Sequence, residues 1–392
     1  MRFSTRTGWE LGENALTAKL RERRGRGEQV LDITVSNPTA CGFVYEPEPL
    51  LSPLAVPAAL EYEPEPFGLE RACTAVSQYY RDHGAEVPFE RICLTTSTSE
   101  AYSYLFRLLC DPGDEVLIAR PSYPLFDFIA RLDSVVLREY PLRYDPGAST
   151  TSAHAWTIDF DALQATINER TRAIVVVHPN NPTGNYASLA EREELEAICA
   201  QHGLALIVDE VFLDYAIHWD ARPRSFASGD GPALCFVLSG LSKVCALPQM
   251  KLSWIAARGP GEALKNALAR LEVVADTFLS VNAPTQAALP SWLSGRDALQ
   301  NQIRERVRRN LAALDTRLRN THADRLALEG GWAAVLRVPR EVDGQPFAEA
   351  ALDRGVLVQP GEFYGLPDGR AVVSLLSLPE IWDRGLKLLP ID

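Results

Sequence analysis

Between residues 91 and 240 the chain alternates short apolar runs with longer helix-patterned segments, and this rhythm restricts the fold more than any other feature. "RICLTT" (91–96) leads into "SEAYSYLFRLLC" (99–110), which "DPGD" stops, and "EVLIARP" (115–121) follows. "RAIVVVHP" (172–179) precedes the amphipathic "LAEREELEAICAQHG" (189–203), and then come "LALIVDE" (204–210) and "ALCFVLSG" (233–240). The apolar runs do not alternate with polar residues, so both faces of each strand must be covered. Strands that alternate with helices in this way predict an α/β domain on a mostly parallel sheet flanked by helices.

After about residue 262 the texture changes. "GEALKNALARLEVVADTFL" and "RDALQNQIRERVRRNLAALDTRL" read as long charged helices, and "WAAVLRVP" and "RAVVSLLSL" as strands, which predicts a smaller α+β domain. At 392 residues the chain exceeds what one hydrophobic core serves. We expect an N-terminal segment (1–45) that joins the small domain, a large domain (46–270) and a small C-terminal domain (271–392).

The net charge of −12 disfavours nucleic acid as a partner, because phosphate binding needs a basic face. The one basic cluster, "RERRGRG" (21–27), reads as the solvated end of a helix. Seven cysteines, with no CxxC spacing, point to reduced packing residues and to neither disulfides nor a metal site. There is no apolar leader at the start and no run of about 18 uncharged apolar residues, so the expectation is a cytoplasmic protein with no membrane span.

In an open parallel sheet the ligand lies outside the carboxyl ends of the strands, so the residues at those ends describe the site. Here they are Ser97, Thr98 and Ser99 entering a helix, then Ser122 and Tyr123, then Asn181, Asp209 and Lys243. Each has a plain structural use: the hydroxyls cap a helix, "NNPTG" makes a turn, and an Asp can cap the next helix. Together they match one ligand. A helix start with hydroxyls suits a phosphate, a tyrosine ring stacks on an aromatic face, and an amide bonds a phenolic oxygen. A carboxylate keeps a ring nitrogen protonated, and a lysine forms a Schiff base. Pyridoxal phosphate needs all of these. Only five lysines occur in the chain, and two of them, Lys243 and Lys251, stand eight apart in "LSGLSKVCALPQMKLSWI" (238–255).

The ordered set "SNPT", "YEPEPFGLERACTAVSQYY", "STSEA", "PGDEVLIARPSYP", "HPNNPTG", "VDEVFLDY", "GLSKVCALPQMKLSWI" and "PGEFYG" resembles the class I/II aminotransferases among the fold-type I pyridoxal-phosphate enzymes, over nearly the whole chain. The resemblance implies an aspartate aminotransferase-like fold. It also implies a reaction that moves an amino group between an amino acid and a 2-oxo acid. By position, Lys243 is similar to the Schiff-base lysine, Asp209 to the pyridinium partner, Asn181 to the phenolate partner and Tyr123 to the stacking ring. Ser97, Thr98, Ser99 and Ser242 resemble the phosphate cup. Tyr62 resembles a tyrosine that reaches the neighbouring subunit's phosphate, which implies a homodimer with shared sites.

Three positions depart from the family pattern. Lys251 stands where a phosphate-binding arginine is usual, and Phe212 where a tyrosine usually donates to the phenolic oxygen. The last strand, in "AVVSLLSLPE" (371–380), holds no arginine for the substrate carboxylate. Arg370 is the nearest candidate for that task, with Asn37 and Tyr364 as further substrate residues and Cys41, Phe43 and Trp332 as candidates for side-chain specificity. Because the carboxylate arginine is missing, a pyridoxal-phosphate lyase, decarboxylase or synthase on the same fold is the alternative activity.

Overall fold

The computed structural model describes residues 1–9, 12–124, 126–217 and 224–392. Its larger sheet has eight strands: β1 (Ile92–Thr95), β2 (Glu115–Arg120), β3 (Val136–Tyr144), β4 (Trp156–Ile158), β5 (Thr171–Val177), β6 (Ala205–Asp209), β7 (Cys235–Gly240) and β8 (Ser253–Arg258). They lie in the order β1-β8-β7-β6-β5-β2-β3-β4. Strands β7, β6, β5, β2 and β3 are mutually parallel, while β8 runs antiparallel between β7 and β1, and β4 antiparallel at the far edge.

The unbroken apolar runs are explained by two cores, one on each face. In β5, Ile174 and Val176 enter one core while Ala173, Val175 and Val177 enter the other, and β6 and β7 divide their residues in the same way. The second face is covered by α1 (Thr98–Leu109) and α2 (Gly261–Phe278), through Ala101, Leu105 and Phe106 and through Leu264, Ala267, Leu271 and Ala275. Each side chain of this kind contributes roughly 1.5–3 kcal/mol when fully buried.

The smaller unit carries an antiparallel sheet of β9 (Asp324–Arg325), β10 (Ala333–Arg337), β12 (Arg370–Ser374) and β11 (Gln359–Pro360), in that spatial order. Against it lies the long helix α3 (Asp297–Leu318), and the terminal helix Pro379–Leu388 packs on α3 and on the strands Leu31–Asp32 and Val356–Leu357. The N-terminal segment docks here: Leu31–Asp32 pairs in parallel with Val356–Leu357, and the Ser374 hydroxyl donates to the Val35 carbonyl at 2.7 Å. The boundary expected at residue 270 falls inside α2, which is one unbroken helix because its apolar face continues through Leu271 and Ala275. All seven cysteines are free. Among the described residues no helix is long and apolar enough to cross a membrane, and no cluster of His, Cys, Asp and Glu could hold a metal ion.

Candidate active site

The carboxyl ends of β1, β5, β6 and β7 and the start of antiparallel β8 share one edge of the sheet, because Gly240 and Thr95 both pair with Ser253 and Val177 pairs with Asp209. Lys243 follows β7 on the short helix Leu241–Val244. Three side chains fix the backbone around it. The Tyr215 hydroxyl donates to the Lys243 carbonyl at 2.6 Å, Gln300 donates to the Val244 carbonyl at 2.8 Å, and Tyr45 donates to the Ala246 carbonyl at 2.8 Å. The lysine Nζ lies 4.7 Å from the centre of the Trp332 ring and 5.3 Å from that of Phe212. Burial pushes its pKa down to about 8, against the pull of the Asp209 and Cys41 charges.

Asp209 ends β6 and is 8% exposed. One carboxylate oxygen accepts from the Val211 N–H and the other from the Tyr102 hydroxyl, both at 3.1 Å. Burial nevertheless raises its pKa to about 6, with those two donors and the Lys243 charge working against the rise. Two donors leave a carboxylate's remaining lone pairs without partners, and no cation forms an ion pair with it among the described residues. A cationic ring N–H placed against Asp209 would complete it, and in this respect the site fits pyridoxal phosphate.

The other expected residues fall at various distances from this pair. Tyr123 is 40% exposed, and its phenol is raised by partial burial and then by the Asp209 charge. Asn181 is half-buried in the turn after β5. That turn is tied to the Tyr123 loop by Asn180, whose Nδ2 donates to the Pro121 carbonyl at 3.0 Å and to the Thr183 hydroxyl at 2.7 Å. Gly184 closes the turn with φ +71°, and a Cβ there would collide with Leu328 and the Gly330 carbonyl. Glycine is required for both reasons, and the turn thereby reaches the loop that carries Trp332.

Ser97 caps α1 by accepting from the Glu100 N–H at 3.1 Å, and the first N–H groups of that helix face the strand-end edge without an intrahelical acceptor. Ser99 is exposed and lines a groove with Ser4, Ser103 and Arg107. Ser242 is half-buried, and Phe212 is 9% exposed with its ring 5.2 Å from Trp332. Lys251 is exposed at φ +52°, two residues before β8. Ser253 was not singled out in the sequence: a Cβ on Gly240 would collide with its hydroxyl, so the glycine leaves room for a buried serine at the strand-end edge. The available signal was a glycine ending one strand opposite a serine starting the next.

Tyr364 is half-buried beside Tyr123. Burial and then Tyr123 push its phenol up to about 12, its carbonyl accepts from the Ser122 N–H at 2.9 Å, and its hydroxyl donates to Gln359. Asn37 is exposed and spends its side-chain oxygen on the N–H and hydroxyl of Thr39. Tyr62 is 81% exposed, in a groove with Glu65, Tyr104 and Asn282.

Arg370 is not brought to the cluster. It starts β12 opposite Arg337, and its charged and polar neighbours are Arg337, Asp324 and Tyr144. The cause is strand geometry: successive residues alternate faces, and Arg370 shares its face with Val372, which packs on Trp156, Val335 and Leu366. Arg370→Ala is therefore expected to leave kcat/KM for the best amino donor within about threefold; a hundredfold loss would return the residue to the site.

A profile of the family described as Aminotransferase class I and II matches residues 60–380. The glutamate-pyruvate aminotransferase AlaA of Escherichia coli K12 is 30% identical over 279 residues, which cover 71% of this chain and 66% of that protein. An alanine aminotransferase of Mycobacterium bovis is 28% identical over 280 residues, covering 71% and 63%. The matched stretch thus spans just under two thirds of each relative. Among solved structures, the alanine aminotransferase from Pyrococcus furiosus aligns with a TM-score of 0.86 over 99% of this chain and 98% of its own, at 22% identity. A double mutant of Thermus thermophilus aspartate aminotransferase aligns with 0.82 over 99% of both chains, also at 22% identity. Those two share its fold, an aspartate aminotransferase-like α/β architecture. With a profile match across most of its length, the chain belongs to the family of class I and II aminotransferases.

Proposed function

We propose that the protein is a pyridoxal-phosphate-dependent aminotransferase that moves an amino group between an amino acid and a 2-oxo acid. The observation that carries this reading is a lysine with a depressed pKa set beside a buried carboxylate with a raised one, both at the carboxyl edge of the sheet. Such opposed shifts within one cleft separate the group that takes a proton from the group that holds a charge.

Bound pyridoxal phosphate would supply a protonated ring that withdraws electrons from the substrate's α-carbon. Lys243 would hold it covalently, Asp209 would face its ring nitrogen, Tyr123 its face and Asn181 its phenolic oxygen. Ser97, Thr98, Ser99, Ser242 and Lys251 would serve its phosphate, and Phe212 leaves the phenolic oxygen with one donor fewer. With a pKa of about 8, Lys243 Nζ carries an appreciable neutral fraction near pH 7.5, so it can accept the α-carbon's proton and return it. The Tyr215 bond to its carbonyl holds the lysine backbone still during that transfer. Trp332 and Phe212 wall the amine from water.

Alanine, glutamate and their 2-oxo acids are the first substrates to try, given the names of the relatives. Tyr62, exposed on the surface, would reach the site of a second copy in a homodimer with shared sites. Seven free cysteines suit a reducing, cytoplasmic setting. Incubation with single amino acids tests the activity. Stoichiometric conversion of the cofactor to its amine form, with release of the matching 2-oxo acid, is the expected result. Pyruvate and ammonia without that conversion would mean a lyase instead.

A further inference from the structure

Trp332 is 3% exposed, and its indole N–H is buried without a hydrogen-bond partner among the described residues. A buried indole normally finds an acceptor, and an unpaired buried donor is destabilising. An apolar side chain would carry no such cost, so an indole at this position needs another use. Its ring supplies one. The Lys243 Nζ lies over the ring, 4.7 Å from its centre and within the range of a cation–π contact. Phe212 offers a second ring at 5.3 Å. Of the aromatic side chains an indole attracts a cation most strongly, and the attraction grows where water is shut out.

The indole is held from both sheets' sides of the cleft. The Trp332 carbonyl accepts from the Leu375 N–H at 2.8 Å, just after β12, and the Gly331 N–H donates to the Tyr215 carbonyl at 2.9 Å. Edge-on contacts with Phe212 and Tyr215, at 5.2 and 4.9 Å between ring centres, set its tilt. Tyr215 is also the residue whose hydroxyl donates to the Lys243 carbonyl. One aromatic group therefore holds the lysine at both ends, its backbone through Tyr215 and its amine through Trp332. The ionisable groups that act on the amine are Asp209 on β6 and Cys41 in the N-terminal segment. The phenols of Tyr45 and Tyr215, which bond the backbone around the lysine, are raised by burial and stay neutral.

We propose that Trp332 is a positioning residue, which holds the amine of Lys243 as an ammonium against its indole ring whenever that amine is not covalently engaged. A lysine stem is flexible over four carbons, and transamination needs the amine to stay within reach of the substrate's α-carbon. An aromatic face limits that sweep without a directed hydrogen bond, so the amine remains free to leave. For this use of the held amine the inference rests on the transamination reading.

The test labels the amines of the cofactor-free full chain with trace acetic anhydride between about pH 6 and pH 10, and reads the Lys243 peptide by mass spectrometry. Only the neutral amine reacts, so labelling rises through the pKa, expected at about 8 in the unmutated protein. Asp209 and Cys41, at about 6 and about 11, keep their charge states over most of that range. For Trp332→Leu the midpoint should fall by about one pH unit, because the ammonium loses its aromatic partner in a site that stays closed to water. Trp332→Phe, with a weaker ring, should fall by about half as much. A ring that served only as a wall would act with the opposite sign: its loss would admit water and move the midpoint up toward 10.5. An unchanged or raised midpoint overturns the assignment, and Trp332→Phe decides alone if Trp332→Leu does not fold. In the loaded enzyme, Trp332→Leu should also lose about tenfold in kcat with KM within about twofold, and an unchanged kcat would overturn the positioning role. If the unmutated protein converts no amino acid at all, the transamination reading fails instead, and the labelling midpoint still decides whether Trp332 holds the amine.

Discussion

Lys243→Ala is expected to lower kcat by about four orders of magnitude, because one side chain supplies both the covalent attachment and the proton carrier. Borohydride reduction of the loaded protein followed by peptide mapping should place the cofactor on Lys243. Label on Lys251 would reverse the roles given to both. The same lysine should leave a mark on stability in the cofactor-free protein. Its pKa falls from 10.5 to about 8 on folding, so below pH 8 the folded state holds a charge that burial penalises, at a cost of ~3 kcal/mol. Between pH 8 and 10.5 the unfolded chain binds more protons at this site than the folded one, so stability rises with pH there. The difference in Tm between Lys243→Met and the unmutated protein should therefore be largest near pH 7 and shrink as pH approaches 10.

The strand ends were legible because a fully covered strand leaves an apolar run whose end is visible, and Asp209, Asn181 and Lys243 stand at such ends. What holds those residues was not legible. Tyr102 reaches Asp209 from a helix 107 residues earlier, yet in "SEAYSYLF" it looks no different from Tyr104, whose hydroxyl meets Ser280 instead. Tyr215 donates to a backbone carbonyl, a contact with no side-chain signature at the receiving end. Arg370 could be judged only from its place on β12, and the face it occupies depended on a register that β10 sets.

Asp209→Asn is expected to lower kcat by about 10²–10³ and at the same time to stabilise the cofactor-free protein. The activity loss follows from removing a preorganised charge aimed at the ring nitrogen, where an amide cannot hold the proton. The stability gain follows from burial, which raises the carboxyl from 3.8 to about 6 and so penalises its ionised form by ~3 kcal/mol above that pKa. The sign differs from that of an ion-paired carboxylate. Between pH 4 and 6 the folded state binds more protons at this site than the unfolded chain, so stability falls as pH rises through that window. The advantage of Asp209→Asn should thus be full at pH 7 and vanish below about pH 4, as read from paired thermal melts. Asparagine keeps an oxygen for the Val211 N–H and can donate from its amide to the Tyr102 hydroxyl oxygen, so the gain is not cancelled by a lost partner. Asp209 and Lys243 also lessen each other's burial cost, so removing one exposes the other to a larger penalty. The double variant Asp209→Asn with Lys243→Met should then be more stable than the sum of the two single changes. A destabilised Asp209→Asn at pH 7 would mean that the carboxylate is paired in the cofactor-free protein, and that the cleft is not kept ready for a cation from outside the chain.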